Sequence, residues 1–247
     1  MIRILKWIPN GITLGNLTCG MLACYMAAAN SSVNISPNFK IEASKDWHYL
    51  APSLLIFAAA VLDFLDGLAA RLLNVYSELG KQLDSLADLV SFGVAPSFII
   101  ISYNLAGNYL YSFAGLFIGI FACIRLAKFN LDTRQHNSFL GLPVPSVGMI
   151  VASLLFIDCH GPLAFLINPW VVLGLIMILC LLMVSELPLL ALKFKTYGLK
   201  ENLGRYLVLG LGLAIFIGFR FQGLPLIILA YVLVSLLVNE KTKTATS

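Results

Sequence analysis

Apolar runs long enough to cross a bilayer recur along nearly the whole chain, separated by short polar or proline-bearing breaks. Hydrocarbon offers no water to pair with backbone N–H and C=O groups, so such runs fold as helices that satisfy those groups internally. Composition agrees: 60% of the 247 residues are hydrophobic and 11% are charged, against roughly 25% charged in soluble domains. The expected fold is all-α, a polytopic integral membrane bundle of about eight transmembrane helices. Apolar length and breaker residues place them at 11–30, 49–73, 80–103, 108–128, 143–159, 168–186, 204–219 and 222–238. No polar stretch is large enough for a separate soluble unit, so residues 1–247 are expected to form one membrane domain.

With the N-terminus in the cytoplasm, all sixteen Lys and Arg residues fall on the inner side except Lys40, Lys45 and Arg220. Positive charge collects on the cytoplasmic side of membrane proteins, so both termini are expected there. Residues 1–8 alternate basic and apolar side chains and include Trp7. That pattern favours a short interfacial helix, ended by Pro9, over a cleaved signal peptide. Residues 239–247 are expected to form a polar tail. The five cysteines are scattered without CxxC spacing, which supports neither a disulfide framework nor a zinc site.

Asp63, Asp66, Asp84 and Asp88 sit in otherwise apolar helices. Each such carboxylate costs about 2.5 to 3.5 kcal/mol on insertion scales, so four together demand a compensating partner. Asp63 and Asp66 are spaced i,i+3 and Asp84 and Asp88 i,i+4, so each pair projects from one helical face. A short loop at 74–79 turns the two helices into an antiparallel hairpin and lets all four carboxylates meet near the cytoplasmic surface. Arg71 and Lys81 are the bases nearby in sequence, too few for a closed ion-pair network of four acids. Oxygen ligands without His or Cys favour Mg²⁺ or Mn²⁺, or Ca²⁺, over zinc, and shared carboxylates suit a pair of ions. Gly67 and Gly80 strip the pocket wall of side chains and Ala70 extends the smooth face, although glycines in helices serve packing as often as ligand contact.

From Asp63 to Asp88 the chain reads DFLDGLAARLLNVYSELGKQLDSLAD, which resembles at every defined position the D-x2-D-G-x2-A-R-x8-G-x3-D-x3-D signature of the CDP-alcohol phosphatidyltransferase family. The resemblance implies a membrane enzyme in which Asp63, Asp66 and Asp84 hold a divalent metal pair on the diphosphate of a CDP-linked donor. It implies that Asp88 is the general base and also touches a metal, and that Gly67, Ala70, Arg71 and Gly80 line the cytidine nucleotide site. A homodimer is a further implication, and no nucleic-acid partner is expected.

Other segments resemble the phosphatidylserine-forming branch of that family: Pro9, Asn10, Thr13 and Asn16 at the start, Lys81 to Pro96, RLAKFN from Arg125 to Asn130, and FLGLPVP from Phe139 to Pro145. This resemblance covers about the first 150 residues. It implies transfer of the phosphatidyl group from CDP-diacylglycerol to the hydroxyl of L-serine, with release of CMP, at an active site facing the cytoplasm among membrane lipids. Thr13, Asn16, Arg125 and Asn130 are then candidate substrate-binding residues. Arg125 suits the serine carboxylate and Asn130 the ammonium group, while snorkelling to headgroups is the plainer role for Arg125 and Lys128. Two other readings stand at this point: a relative using glycerol 3-phosphate or inositol phosphate as acceptor, and a divalent-cation transporter.

Overall fold

The computed structural model describes residues 7–30, 47–75, 77–104, 109–131, 139–158, 160–189 and 202–244. Helix α1 (Trp7–Asn30) packs along α2 (Trp47–Leu72), and α3 (Glu78–Asp88) returns beside α1. A π-helical turn, Leu89–Val94, joins α3 to α4 (Ala95–Ser102). Short turns at Tyr109–Ser112 and Phe113–Gly115 lead into α5 (Leu116–Leu131), followed by α6 (Val144–Leu154) and α7 (Pro169–Val184). Helices α8 (Leu203–Phe219) and α9 (Leu224–Thr244) close the chain as a hairpin.

The fold is all-α and that of an integral membrane protein. Among the described residues, five stretches are long and apolar enough to cross a bilayer: Trp7–Ala29, Trp47–Leu72, Glu78–Ser102, Leu110–Leu131 and Leu203–Ser235. The last folds back on itself where Arg220 takes a left-handed φ of 51° and ends α8. Helix α6, expected over 143–159, stops at Leu154 after 11 residues. At 1.5 Å per residue that is roughly 16 Å, about half the hydrocarbon thickness. Helix α7 is also short, at 16 residues.

The expected interfacial helix falls mostly outside the described residues, but Trp7 and Ile8 already belong to α1. Pro9 does not break it. Pro9 stands in the first turn, where N–H groups have no intrahelical acceptor and the missing donor costs nothing. At the other end, α9 runs to Thr244, past the expected limit of 238. Phe139–Leu140 pairs antiparallel with Pro188–Leu189 (strands β1 and β2), a link absent from the sequence reading. It explains much of the FLGLPVP segment. Gly141 has φ +70°, and a Cβ there would stand 2.6 Å from the Ser185 carbonyl oxygen. Pro143 then caps α6 in an extended conformation and Pro145 occupies its first turn.

The π-helical turn corrects the expectation of one regular helix over 80–103. Pro96 lacks an N–H and its ring crowds the carbonyl four residues back, that of Phe92. Widening the turn relieves this, and the Ala95 N–H reaches the Val90 carbonyl instead. The turn is buried: Ser91 donates to the Asn16 carbonyl at 3.0 Å, while Phe92 packs into the space left by Gly148.

Candidate active site

The corner between α2 and α3 is built locally. Asn74 adopts φ 51°, the Val75 N–H reaches back to the Ala70 carbonyl at 3.0 Å, and that of Asn74 to Arg71 at 3.3 Å. These two bonds form a Schellman cap that ends α2. Ser77 starts α3 by accepting the Gly80 N–H at 3.0 Å. The reversal sets the Asp63 and Asp66 face of α2 against the Asp84 face of α3. One carboxylate oxygen from each of these three residues lies within 4.8 Å of the others.

A cavity of about 290 Å³ opens on the cluster, lined from α1 by Pro9, Asn10 and Thr13, from α2 by Asp63, Asp66, Gly67 and Ala70, from the corner by Val75 and Ser77, and from α3 by Gly80, Lys81 and Asp84. Thr13 Oγ1 lies 2.6 Å from Asp66 Oδ2 and donates to it, with the Pro9 carbonyl 3.0 Å away. The glycines differ. At Gly67 a Cβ would meet nothing closer than 3.9 Å, so its surface is open to a ligand, whereas at Gly80 it would press on Asn10 Oδ1 at 2.9 Å. Gly80 therefore serves close approach of α1 as well as lining the cavity.

Like charges surround the acids: Asp63, Asp84 and Asp88 each feel the charge of other aspartates. The neighbouring bases have other partners. Arg71 is exposed and its Nε donates to the Gly67 carbonyl at 2.9 Å, and Lys81 Nζ donates to the Asn130 carbonyl at 3.5 Å. Oxygen–metal distances of about 2.0 to 2.6 Å let a divalent cation touch carboxylates that lie 4.8 Å apart or less. The cluster fits a divalent metal.

One turn further into the membrane lies a second polar group. Asp88 is buried and accepts from Asn16 Nδ2 at 3.4 Å. Asp88 is not among the three acids whose oxygens converge. Helix α5 runs antiparallel to α3, in a register marked by Asn130 beside Ser85, Ala122 against Gly93 and the Gly119 N–H on Ser97 Oγ. That register sets Arg125 alongside Asp88, whose charge it feels. Arg125 lies on the buried stripe of α5 with Ile118, Ala122 and Leu126, its guanidinium 5.6 Å from the Phe129 ring, whereas Lys128 is exposed. Three buried polar atoms here lack a hydrogen-bond partner among the described residues: Asn16 Oδ1, Arg125 Nε and Asn130 Oδ1.

Thus Thr13, Asp63, Asp66, Gly67, Ala70, Gly80 and Asp84 line the cavity, Asn16 and Arg125 attend Asp88, and Asn130 is held by Ser85. Ser77, Ser85 and Ser91 escaped the sequence reading. A serine beside each acidic turn was the available signal, but serine is too common in membrane helices to stand out.

A family model described as CDP-alcohol phosphatidyltransferase matches residues 6–185. The chain belongs to the CDP-alcohol phosphatidyltransferase family. Among relatives of this phosphatidyltransferase, the CDP-diacylglycerol–serine O-phosphatidyltransferase of Bacillus subtilis (strain 168) is 38% identical over 157 residues, 62% of this chain and 77% of the relative. The protein of the same name from Helicobacter pylori (strain J99) is 33% identical over 191 residues, 75% of this chain and 73% of the relative. An archaetidylserine synthase of Methanothermobacter thermautotrophicus is 32% identical over 138 residues, 54% and 59% of the two chains. The family match runs to the end of α7 and leaves α8 and α9 outside.

Proposed function

We propose that the protein is a phosphatidylserine synthase that moves the phosphatidyl group of CDP-diacylglycerol to the hydroxyl of L-serine and releases CMP. Two features of α5 support the choice of acceptor: Arg125, buried and acted on by Asp88, has an unpartnered Nε, and the Asn130 amide oxygen is buried without a donor among the described residues. A serine zwitterion offers the complement to both, a carboxylate and an ammonium. The names of the relatives support the same reading. Glycerol 3-phosphate or inositol phosphate would bring more negative charge to a place already beside Asp88.

In this reading the donor lies in the cavity with its acyl chains in lipid, Gly67 and Ala70 give the nucleotide a smooth wall, and Arg71 reaches it from the exposed side. Asp63, Asp66 and Asp84 hold a divalent pair, Mg²⁺ or Mn²⁺, with Thr13 fixing the Asp66 carboxylate and Asp88 within reach. Such ions polarise the phosphoryl group and take up charge on the departing CMP. Arg125 binds the serine carboxylate, Asn130 the ammonium, and Asp88 accepts the hydroxyl proton as the serine oxygen bonds to phosphorus and the bond to CMP breaks. The chain forms one membrane domain, and the site faces the cytoplasm.

The test is an acceptor panel with purified protein in mixed micelles containing CDP-diacylglycerol. Serine should yield phosphatidylserine and CMP with Mg²⁺ or Mn²⁺ present, and excess EDTA should abolish turnover. Product from glycerol 3-phosphate but not serine would overturn the acceptor assignment, and full activity in EDTA the metal assignment.

A further inference from the structure

An asparagine presents a donor at one end of its amide and an acceptor at the other, so Asn130 can meet an ammonium only if its oxygen end is left free. The structure shows what chooses the end. Asn130 Nδ2 donates to Ser85 Oγ at 2.9 Å, and Ser85 Oγ donates in turn to the Lys81 carbonyl at 3.2 Å. A carbonyl oxygen can only accept, so the chain runs one way: the Ser85 proton is committed to Lys81, and a Ser85 lone pair receives the Asn130 N–H. The amide nitrogen is occupied, and Oδ1 is held buried without a donor. Ser85 directly follows Asp84 on α3, and this residue outside the defined positions of the family signature holds the amide of α5 against that helix.

We infer that Ser85 is a positioning residue for acceptor recognition: it orients the Asn130 amide so that the oxygen faces the amino group of the acceptor. The inference rests on the serine reading above. Its plain competitor is a clamp that does no more than tie α5 to α3, a role the Lys81 contact to the Asn130 carbonyl also serves. The two differ in what they do to an acceptor without an amino group. An orienting Ser85 matters for serine and not for 3-hydroxypropanoate, which keeps the hydroxyl and carboxylate but lacks the ammonium. A clamp affects both alike.

The experiment compares the two acceptors at saturating CDP-diacylglycerol in wild-type protein, Ser85→Ala, Ser85→Thr and the double variant Ser85→Ala with Asn130→Asp. Ser85→Ala should raise the serine KM about tenfold, the scale of a lost hydrogen bond to a charged group. kcat, the donor KM and the rate with 3-hydroxypropanoate should stay within about twofold, because none of them uses the amide oxygen. Ser85→Thr keeps the hydroxyl and should restore the preference. So should Asn130→Asp in the Ser85→Ala background, since a carboxylate presents an acceptor whichever way it turns. Equal losses for both acceptors, or an unchanged serine preference in Ser85→Ala, would overturn the role of Ser85 alone. If Ser85→Ala proves inactive with either acceptor, Asn130→Ala decides between the same outcomes, because it removes the oxygen while leaving Ser85 in place. A wild-type protein that makes no product from serine would sink the serine reading itself and the role of Ser85 with it.

Discussion

Asp88 and Asp66 are both buried carboxylates, yet their surroundings differ. Asp66 converges with Asp63 and Asp84 and takes the Thr13 proton, while Asp88 stands one turn beyond Asp84 with the Asn16 amide on one oxygen. A residue outside the converging set should matter more for proton transfer than for holding the donor. Asp88→Asn is expected to cost about 100-fold or more in turnover, the range of a lost acid-base catalyst. Binding of CDP-diacylglycerol, measured by isothermal titration or photolabelling, should survive; a parallel loss of binding would make Asp88 chiefly a metal ligand. Arg125 invites a second measurement. It shares the buried stripe of α5 with Ile118, Ala122 and Leu126, and its Nε is unpartnered among the described residues, so Arg125→Ala should raise the serine KM by about tenfold or more while the donor KM holds. An unchanged serine KM would return Arg125 to a packing role.

At the scale of elements, the site depends on how α1, α3 and α5 approach one another. Buried Pro9, Asn10, Thr13, Asn16, Gly20, Ala23 and Ala27 form one stripe on α1, polar beside the aspartates and small where the π-helical turn comes close. The turn spends one extra residue so that Asp84 and Asp88 face the site while Phe92 faces α6. Its support is tight at Gly148, where a Cβ would fall 2.9 Å from both Phe92 Cα and Cβ. Gly148→Ala should lower stability in detergent by about 1 to 3 kcal/mol, as overpacking does in a filled core. Thermal unfolding against Gly174→Ala supplies the control, since a Cβ at Gly174 meets nothing within 4 Å. Equal melting temperatures for the two variants would show that α6 yields without cost.

Across the whole molecule, aromatic residues mark a boundary at the end remote from the aspartates. Tyr111 and Trp170 lie 5.9 Å apart at the entries to α5 and α7, and exposed Trp47 starts α2. Tyr and Trp gather at the membrane–water interface, so this end suits one leaflet surface and the aspartate end the other. Together with the distribution of Lys and Arg, the pattern leads us to propose that the catalytic end faces the cytoplasm. Reporter fusions test this: one after Ser247 should read cytoplasmic, and one within 31–46 should read external. The opposite pair of readings would put the site in the wrong compartment for a CMP-releasing enzyme.

The helical class, the turn from α2 to α3 and the shared face of Asp63 and Asp66 were legible in one dimension, whereas the expected convergence of all four carboxylates was not met, since Asp88 lies outside the converging three. Each legible feature depends on contacts within a few residues: apolar length sets a helix, i,i+3 spacing sets a face, and one short loop sets the turn. What only the tertiary structure decided depends on registers between helices distant in sequence. Arg125 rather than Lys128 turns inward because α5 lies antiparallel to α3 with Ala122 on Gly93; the π-helical turn follows from Pro96 meeting a packed Phe92; and α6 stops at Leu154 although apolar residues continue. The Asn130 amide takes its orientation from Ser85, 45 residues away. A side chain's local spacing determines which face it occupies, but which end of an amide is left free depends on the partner that the fold brings to the other end.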